Sequence, residues 1–407
     1  MKRSMVFTAS IFFISLLPVN AFPQESLKLA IPLPLTRTYA KFAEIEQRSY
    51  EIAMEEINAT GGIKGKKVLL EFRDSQGKPD ISRSIGAQLI DVEKQPVIFG
   101  EYSSSCSKAL AALAEEKKVP YLVVTGAADD ITRQNYKYVF RMNPTNAYYP
   151  GGLIDFLQQV VKPKTMAILY ESSDFGASGA TDMARQAEKA GIKVVLKEQY
   201  TRETADYVTY DFQFLPDLKP MLRRVKEVKP EVIYMVSYLR DAVLLMHEIK
   251  DLRIEAKLYA GGAAGFALPE FIQGAQEAAA YVVTVTLWDP RLGYPGAREF
   301  AEKYKNRFGE YPSYHGAEAY AALYVIKEAL EKASTWTPED IRAALKSTDI
   351  MTAFGPIKFE DKEGYTNQNF MKTLVEQVIN GRFEIIWPEK LASRNYVFPI
   401  PKWSERK

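Results

Sequence analysis

QPVIFGEYSSSCSKALAALAEEKKVPYLVVTG, residues 95–126, holds a complete folding unit. An apolar run ends at Gly100, four serines (Ser103, Ser104, Ser105, Ser107) and the only cysteine, Cys106, follow, and an alanine-rich segment leads to a second apolar run. Buried strand, helix and buried strand in that order are the mark of a parallel sheet, because a parallel return needs a crossover helix. The hydroxyls gather where the first strand ends and the helix begins. That turn admits three readings: a nucleophile, a helix cap, or an anion clamp.

The same rhythm runs along most of the chain. LKLAIPL, KKVLLEFRD, YVFRM, KTMAILY, IKVVLKEQY, EVIYMVSY, KLYAGG and AYVVTVT join the two runs above as ten strand candidates, with amphipathic helical segments between them. Ten strands suggest two sheets rather than one, and 407 residues exceed the usual single core. Turn residues break the rhythm at RMNPTNAYYPGG (141–152), VTVTLWDPRLGYPG (283–296) and AFGPIKFEDKEGYTNQN (353–369). These three breaks are read as crossings between two doubly wound α/β lobes. One lobe comprises 27–144 and 286–366, the other 147–284 and 368–407.

Composition excludes several function classes. Fifty-three basic residues against 51 acidic give a net charge of +2, with no electrostatic footprint for nucleic acid. Lys2 and Arg3 precede the apolar MVFTASIFFISLL, and PVNA follows with small residues at Val19 and Ala21. This pattern predicts a cleaved secretory signal over 1–21, hence a periplasmic protein that is not membrane-embedded. No cysteine sits near the cleavage point, which argues against a lipoprotein. A lone cysteine forms no internal disulfide, and two distant histidines, His247 and His315, make no metal spacing. Neither a metal nor a cofactor is expected, and each histidine reads as a packed or surface residue.

In open α/β sheets ligands bind beyond the carboxyl ends of the strands. Those ends read GEYSSSCS, TGAADD, ESSDFGASG, SYLRD and GGAAGF. Small residues, hydroxyls and tyrosines suit binding better than chemistry. A serine nucleophile would need a base and an orienting partner, and the G-x-S-x-G elbow is absent. No phosphate loop occurs either. Free N–H groups at a helix start favour a carboxylate, so the clamp is preferred over the cap alone.

EEINATGGIKGKKVLLEFRDSQGKPD (55–80) resembles the hallmark stretch of the leucine/isoleucine/valine-binding protein family, the type I periplasmic solute-binding proteins of ABC importers. YVFRMNPTN, AILYESSDFGASGA and PEVIYMVSY extend the resemblance in order over nearly the whole mature chain. It implies a monomer of two lobes closing on a small carboxylate-bearing solute, which is handed to permease subunits without chemistry. Carried over, Ser104, the Thr125 carbonyl and the Ala127 amide grip the carboxylate. Phe42 covers the pocket, Tyr238 and Phe175 come from the second lobe, and Tyr102 and Tyr149 follow from proximity in sequence. Branched-chain binders usually hold the ammonium with acids where Gly262 and Asn146 stand here. Glu101, Glu171 and Asp174 are the nearby substitutes. A leucine-type amino acid and an amine-free organic acid, aromatic or not, therefore both stay open, as does a sensing role in place of uptake.

Overall fold

The computed structural model describes residues 25–201 and 217–406, so the expected signal segment lies outside the described residues. The first lobe opens with β1 (Ser26–Leu33), α1 (Ala40–Ala59), β2 (Lys67–Asp74), α2 (Pro79–Ala87), β3 (Ile98–Gly100), α3 (Ser104–Lys117), β4 (Tyr121–Val123) and β5 (Val139–Arg141). All the strand pairings in this stretch are parallel. Three bonds join the β1–β2 pair edgewise to β3: the Gln95 side chain accepts from Ala30 N and donates to Ala30 O, and Glu101 N donates to Pro32 O. The strand order is then 2-1-3-4-5, the doubly wound order whose switch point falls between β1 and β3.

The second lobe repeats the plan with α4 (Pro150–Phe156), β6 (Thr165–Glu171), α5 (Asp174–Lys189), β7 (Lys193–Tyr200), α6 (Lys219–Val228), β8 (Val232–Val236), α7 (Leu239–Asp251), β9 (Leu258–Gly261), α8 (Pro269–Ala275) and β10 (Val283–Thr286). Its strands run 7-6-8-9-10, with a switch point between β6 and β8. The chain then returns to the first lobe through α9 (Ala297–Phe308), α10 (Tyr314–Lys332) and α11 (Pro338–Lys346), with α10 packed along α1.

All ten expected strands form, and six more follow residue 348. The hairpins are β11 (Asp349–Thr352) with β12 (Gly355–Lys358), β13 (Glu360–Lys362) with β14 (Tyr365–Gln368), and β15 (Leu374–Ile379) with β16 (Arg382–Trp387). β14 joins β5 in parallel and β15 joins β10 antiparallel, so the chain's last crossing ends by extending the second sheet. The result is two doubly wound lobes joined by three crossings.

Candidate functional site

The switch points of the two sheets face each other, and a small cavity lies between them. Tyr102 and Ser104 reach it from the end of β3, Thr125 and Ala127 from the end of β4, and Tyr149 from the crossing after β5. The second lobe contributes Phe175 at the start of α5, Tyr238 at the start of α7, and Ala264 after β9. Tyr314 and His315 open α10. Between their atoms lies about 240 Å³ of empty space, of which about 10 Å³ admits the centre of a water, room for about one molecule. The lobes are closed: Ser105 Oγ donates to Asp174 at 2.7 Å, Lys108 bonds the same carboxylate at 3.0 Å, and Lys41 meets Glu270 at 2.7 Å. A larger groove, with about 1930 Å³ of empty space and lined by Trp288, Arg291 and Phe383, opens outside this cavity and shares only Tyr314 with it.

The serine turn divides its labour residue by residue. Ser103 is the helix cap, its Oγ accepting from Cys106 N at 3.2 Å. Ser104 Oγ accepts from the amides of both Ala127 and Ala128 at 3.1 Å. A hydroxyl has two acceptor sites and one proton, so Ser104 is left with its proton to donate. Ser105 holds the lobes together, as above. The cap is thus Ser103 alone, and Ser104 beside it keeps a donor for the cavity. Ser104→Ala is expected to weaken solute binding by roughly 1.5–3 kcal/mol and to lower stability as well, because two buried amides lose their acceptor. Ser103→Ala should cost about 1 kcal/mol of stability with affinity unchanged. Titration calorimetry and urea unfolding on both variants separate the roles; equal affinity losses would merge them.

Seven of the nine expected residues line the cavity: Tyr102, Ser104, Thr125, Ala127, Tyr149, Phe175 and Tyr238. Two of the expected backbone contacts are spent elsewhere. The Thr125 carbonyl accepts from Asn143 Nδ2 at 2.6 Å, and the Ala127 amide is held by Ser104. Phe42 stands behind the wall, its ring stacked on Tyr102 at 4.5 Å and 5.1 Å from His315. Gly262 is not on the wall either. A Cβ there would meet Tyr234 Oη at 2.5 Å, so its side chain would enter the core of the second lobe. Ala264, two residues on, faces the cavity instead. His315 and Tyr314 were not expected, although the Pro-Ser-Tyr-His sequence of 312–315 does mark a helix start.

The three substitute acids also turn away. Glu101, pushed up to about 7 by burial, bonds Ser82 and Tyr102 N. Glu171 receives Ser173 N and Gly176 N at the head of α5, and Asp174 belongs to the latch. Asn146 donates to Phe175 O at 3.1 Å. Burial holds His315 neutral by pushing it down to about 3. Among the described residues, therefore, no charged side chain lines the cavity. What it has are helix starts: α3, α5, α7 and α10 all place their first residue, their cap or the residue beside it on the wall. Each contributes roughly half a positive charge at its N-terminus.

The model of the family described as periplasmic binding protein matches residues 26–378. The chain belongs to the periplasmic binding protein family. The Leu/Ile/Val-binding protein homolog 8 of Brucella melitensis is 29% identical over 381 residues, covering 88% of this chain and 90% of that protein. Two solved structures share the fold. A leucine binding protein from Thermotoga maritima has a TM-score of 0.77 at 23% identity, covering 88% of this chain and 97% of that one. A solute binding protein of an ABC transporter from Rhodopseudomonas palustris, in complex with 3,4-dihydroxybenzoic acid, has a TM-score of 0.75 at 20% identity, covering 88% and 95%. The described residues contain no helix long and apolar enough to cross a membrane.

Proposed function

We propose that the protein is the extracytoplasmic solute-binding component of an ABC importer, closing its lobes on a small carboxylate-bearing solute with an apolar or aromatic body. The observation that carries this reading is the convergence of four helix N-termini on a cavity without a cationic side chain. Such a site favours an anion through backbone dipoles and amides. Tyr102, Tyr149, Phe175, Tyr238 and Tyr314 supply the apolar body's surroundings, with Ser104 donating to the carboxylate. The relatives' names agree with it, some for branched-chain amino acids and one for an aromatic acid.

Binding suits the site better than turnover. His315, the one candidate base beside Ser104, is too weakly basic at about 3, and its Nδ1 faces Ser313 at 3.1 Å rather than a carboxylate. The protein would act as a monomer in the periplasm. Its two lobes, 27–144 with 286–366 and 147–284 with 368–407, would part to load the solute and present their closed form to permease subunits. A saturating solute should stabilise the fold by about 2.7 kcal/mol at a hundredfold excess over Kd. A thermal-shift screen of aliphatic and aromatic carboxylates, amino acids included, should yield a clear riser. A flat response across both classes would discard this reading.

A further inference from the structure

Ser313 is the N-cap of α10, yet its hydroxyl makes no cap bond to the helix amides. It is turned to a side chain instead: Ser313 Oγ and His315 Nδ1 lie 3.1 Å apart. A serine in this position ordinarily satisfies an orphan amide, so the helix forgoes that stabilisation to fix one imidazole. Three rings pack around the same imidazole. Tyr314 stacks on it with centroids 3.8 Å apart, Phe42 meets it edgewise at 5.1 Å, and Tyr102 lies tilted at 5.5 Å. The opposite nitrogen, Nε2, bonds no described residue, and it is not sealed away, because His315 lines the cavity. Buried polar atoms are seldom left unmet in native structures. We propose that the solute's apolar body carries a hydroxyl group and that His315 Nε2 is the atom that reads it. The proposal rests on the carboxylate-binding reading above and names the second polar group of that solute.

The chemistry of the imidazole selects the group. Burial pushes His315 down to about 3, so the ring is neutral at pH 7. In a neutral ring one nitrogen carries the proton and the other a lone pair, and the bond made by Nδ1 decides which. If Nδ1 donates to Ser313, Nε2 accepts; if Ser313 donates to Nδ1, Nε2 donates. A hydroxyl is donor and acceptor at once, so it fits either tautomer. An ether or ketone fits only a donating Nε2. Several other hydroxyls of the wall already have protein partners. Thr125 Oγ1 donates to Glu46 Oε1 at 3.0 Å, Tyr149 Oη donates to Asn143 Oδ1 at 3.0 Å, and Tyr314 Oη accepts from Ala264 N at 3.3 Å. Tyr102 Oη bonds no described residue, which makes Tyr102 the competing reader. His315 is favoured because a hydrogen bond fixes its orientation. The closed cavity has room for about one water. An apolar body displaces that water and leaves Nε2 unmet, whereas a hydroxyl replaces its bond.

The test is titration calorimetry of matched pairs that differ by one hydroxyl. The pairs are 3-phenylpropanoate with 3-(4-hydroxyphenyl)propanoate, phenylalanine with tyrosine, benzoate with 3- or 4-hydroxybenzoate, and 4-methylpentanoate with 2-hydroxy-4-methylpentanoate. The last pair distinguishes an aliphatic carrier from an aromatic one. At least one hydroxylated member should bind about tenfold or more tightly than its parent, because the parent leaves a buried polar atom unpaired. His315→Phe keeps a ring and removes the nitrogen, and should bring that ratio to within about twofold of unity. His315→Gln returns a polar group to the same wall and should restore part of the ratio. Urea midpoints check that both variants fold, and the unmodified protein gives the ratio independently of them. Equal binding within every pair overturns the proposal and leaves the carboxylate reading standing. A ratio that survives His315→Phe also overturns it and assigns the hydroxyl to Tyr102. So does a variant that weakens both members of a pair equally, since His315 would then serve the carboxylate or the packing. If no carboxylate of either kind binds, both readings fall.

Discussion

Arg141→Met should destabilise the protein by about 3 kcal/mol or more and weaken solute binding with it, because one buried guanidinium organises the loop that faces Ser104. Arg141 is fully buried on β5, and burial lowers it to about 10, so it stays charged at neutral pH. Its Nη1 donates to Ala128 O at 2.7 Å and Gly126 O at 3.3 Å, its Nη2 to Thr132 Oγ1 at 2.6 Å, and its Nε to Gln368 Oε1 at 2.6 Å. Carbonyls drawn inward at 126 and 128 leave the amides of Ala127 and Ala128 turned to Ser104 Oγ. Methionine fills similar space and donates nothing. Four buried acceptors then lose a charged donor, although Ala128 O still accepts from Ile131 N and Gln368 Oε1 from Thr132 Oγ1; each acceptor left unmet costs about 1–3 kcal/mol, offset by no longer burying a charge. Urea midpoints and calorimetric affinity measure the two effects. An unchanged midpoint would mean that the loop is held by something other than Arg141. Arg141→Lys should recover little, since one ammonium cannot span a fork of acceptors.

Strands of the parallel sheets were legible because burial on both faces writes them as continuous apolar runs. The late hairpins were harder to read. All three residues of β13 are exposed, so they carry no apolar pattern. Their turns did leave a signal: Glu363-Gly364 and Asn380-Gly381 each pair two positive φ angles, the two-residue hairpin geometry that Asn-Gly favours. Cavity residues that follow a strand, such as Tyr102, Ser104 and Tyr238, could be placed by the strand-end rule. Tyr314 and His315 escape it, because α10 follows another helix and reaches the cavity only through its packing on α1. Glu46 escaped for a similar reason. In AKFAEIEQRS it looks like one of several acids on a solvated face, and only α10 lying over it makes it a buried group.

Gly262→Glu should destabilise the second lobe by more than about 3 kcal/mol and leave solute preference unaltered, against the expectation that an acid there would restore an ammonium site. The backbone is not the obstacle, since Gly262 is absent from the positive-φ glycines. Space is the obstacle. The Cβ would lie 2.5 Å from Tyr234 Oη, 3.0 Å from Cζ and 3.3 Å from Val236 Cγ2, and both neighbours are buried on β8. Overpacking alone costs about 1–3 kcal/mol. A carboxylate forced into the same core adds several more, because nothing cationic waits for it. Gly262→Ala isolates the first contribution and should fold, with a loss in the lower range and wild-type affinity. If the glutamate variant instead folded well and gained affinity for leucine over 4-methylpentanoate, the side chain at 262 would have to reach the cavity. The ammonium would then be met from the second lobe. With the geometry as it stands, the nearest place for a wall-facing change is Ala264.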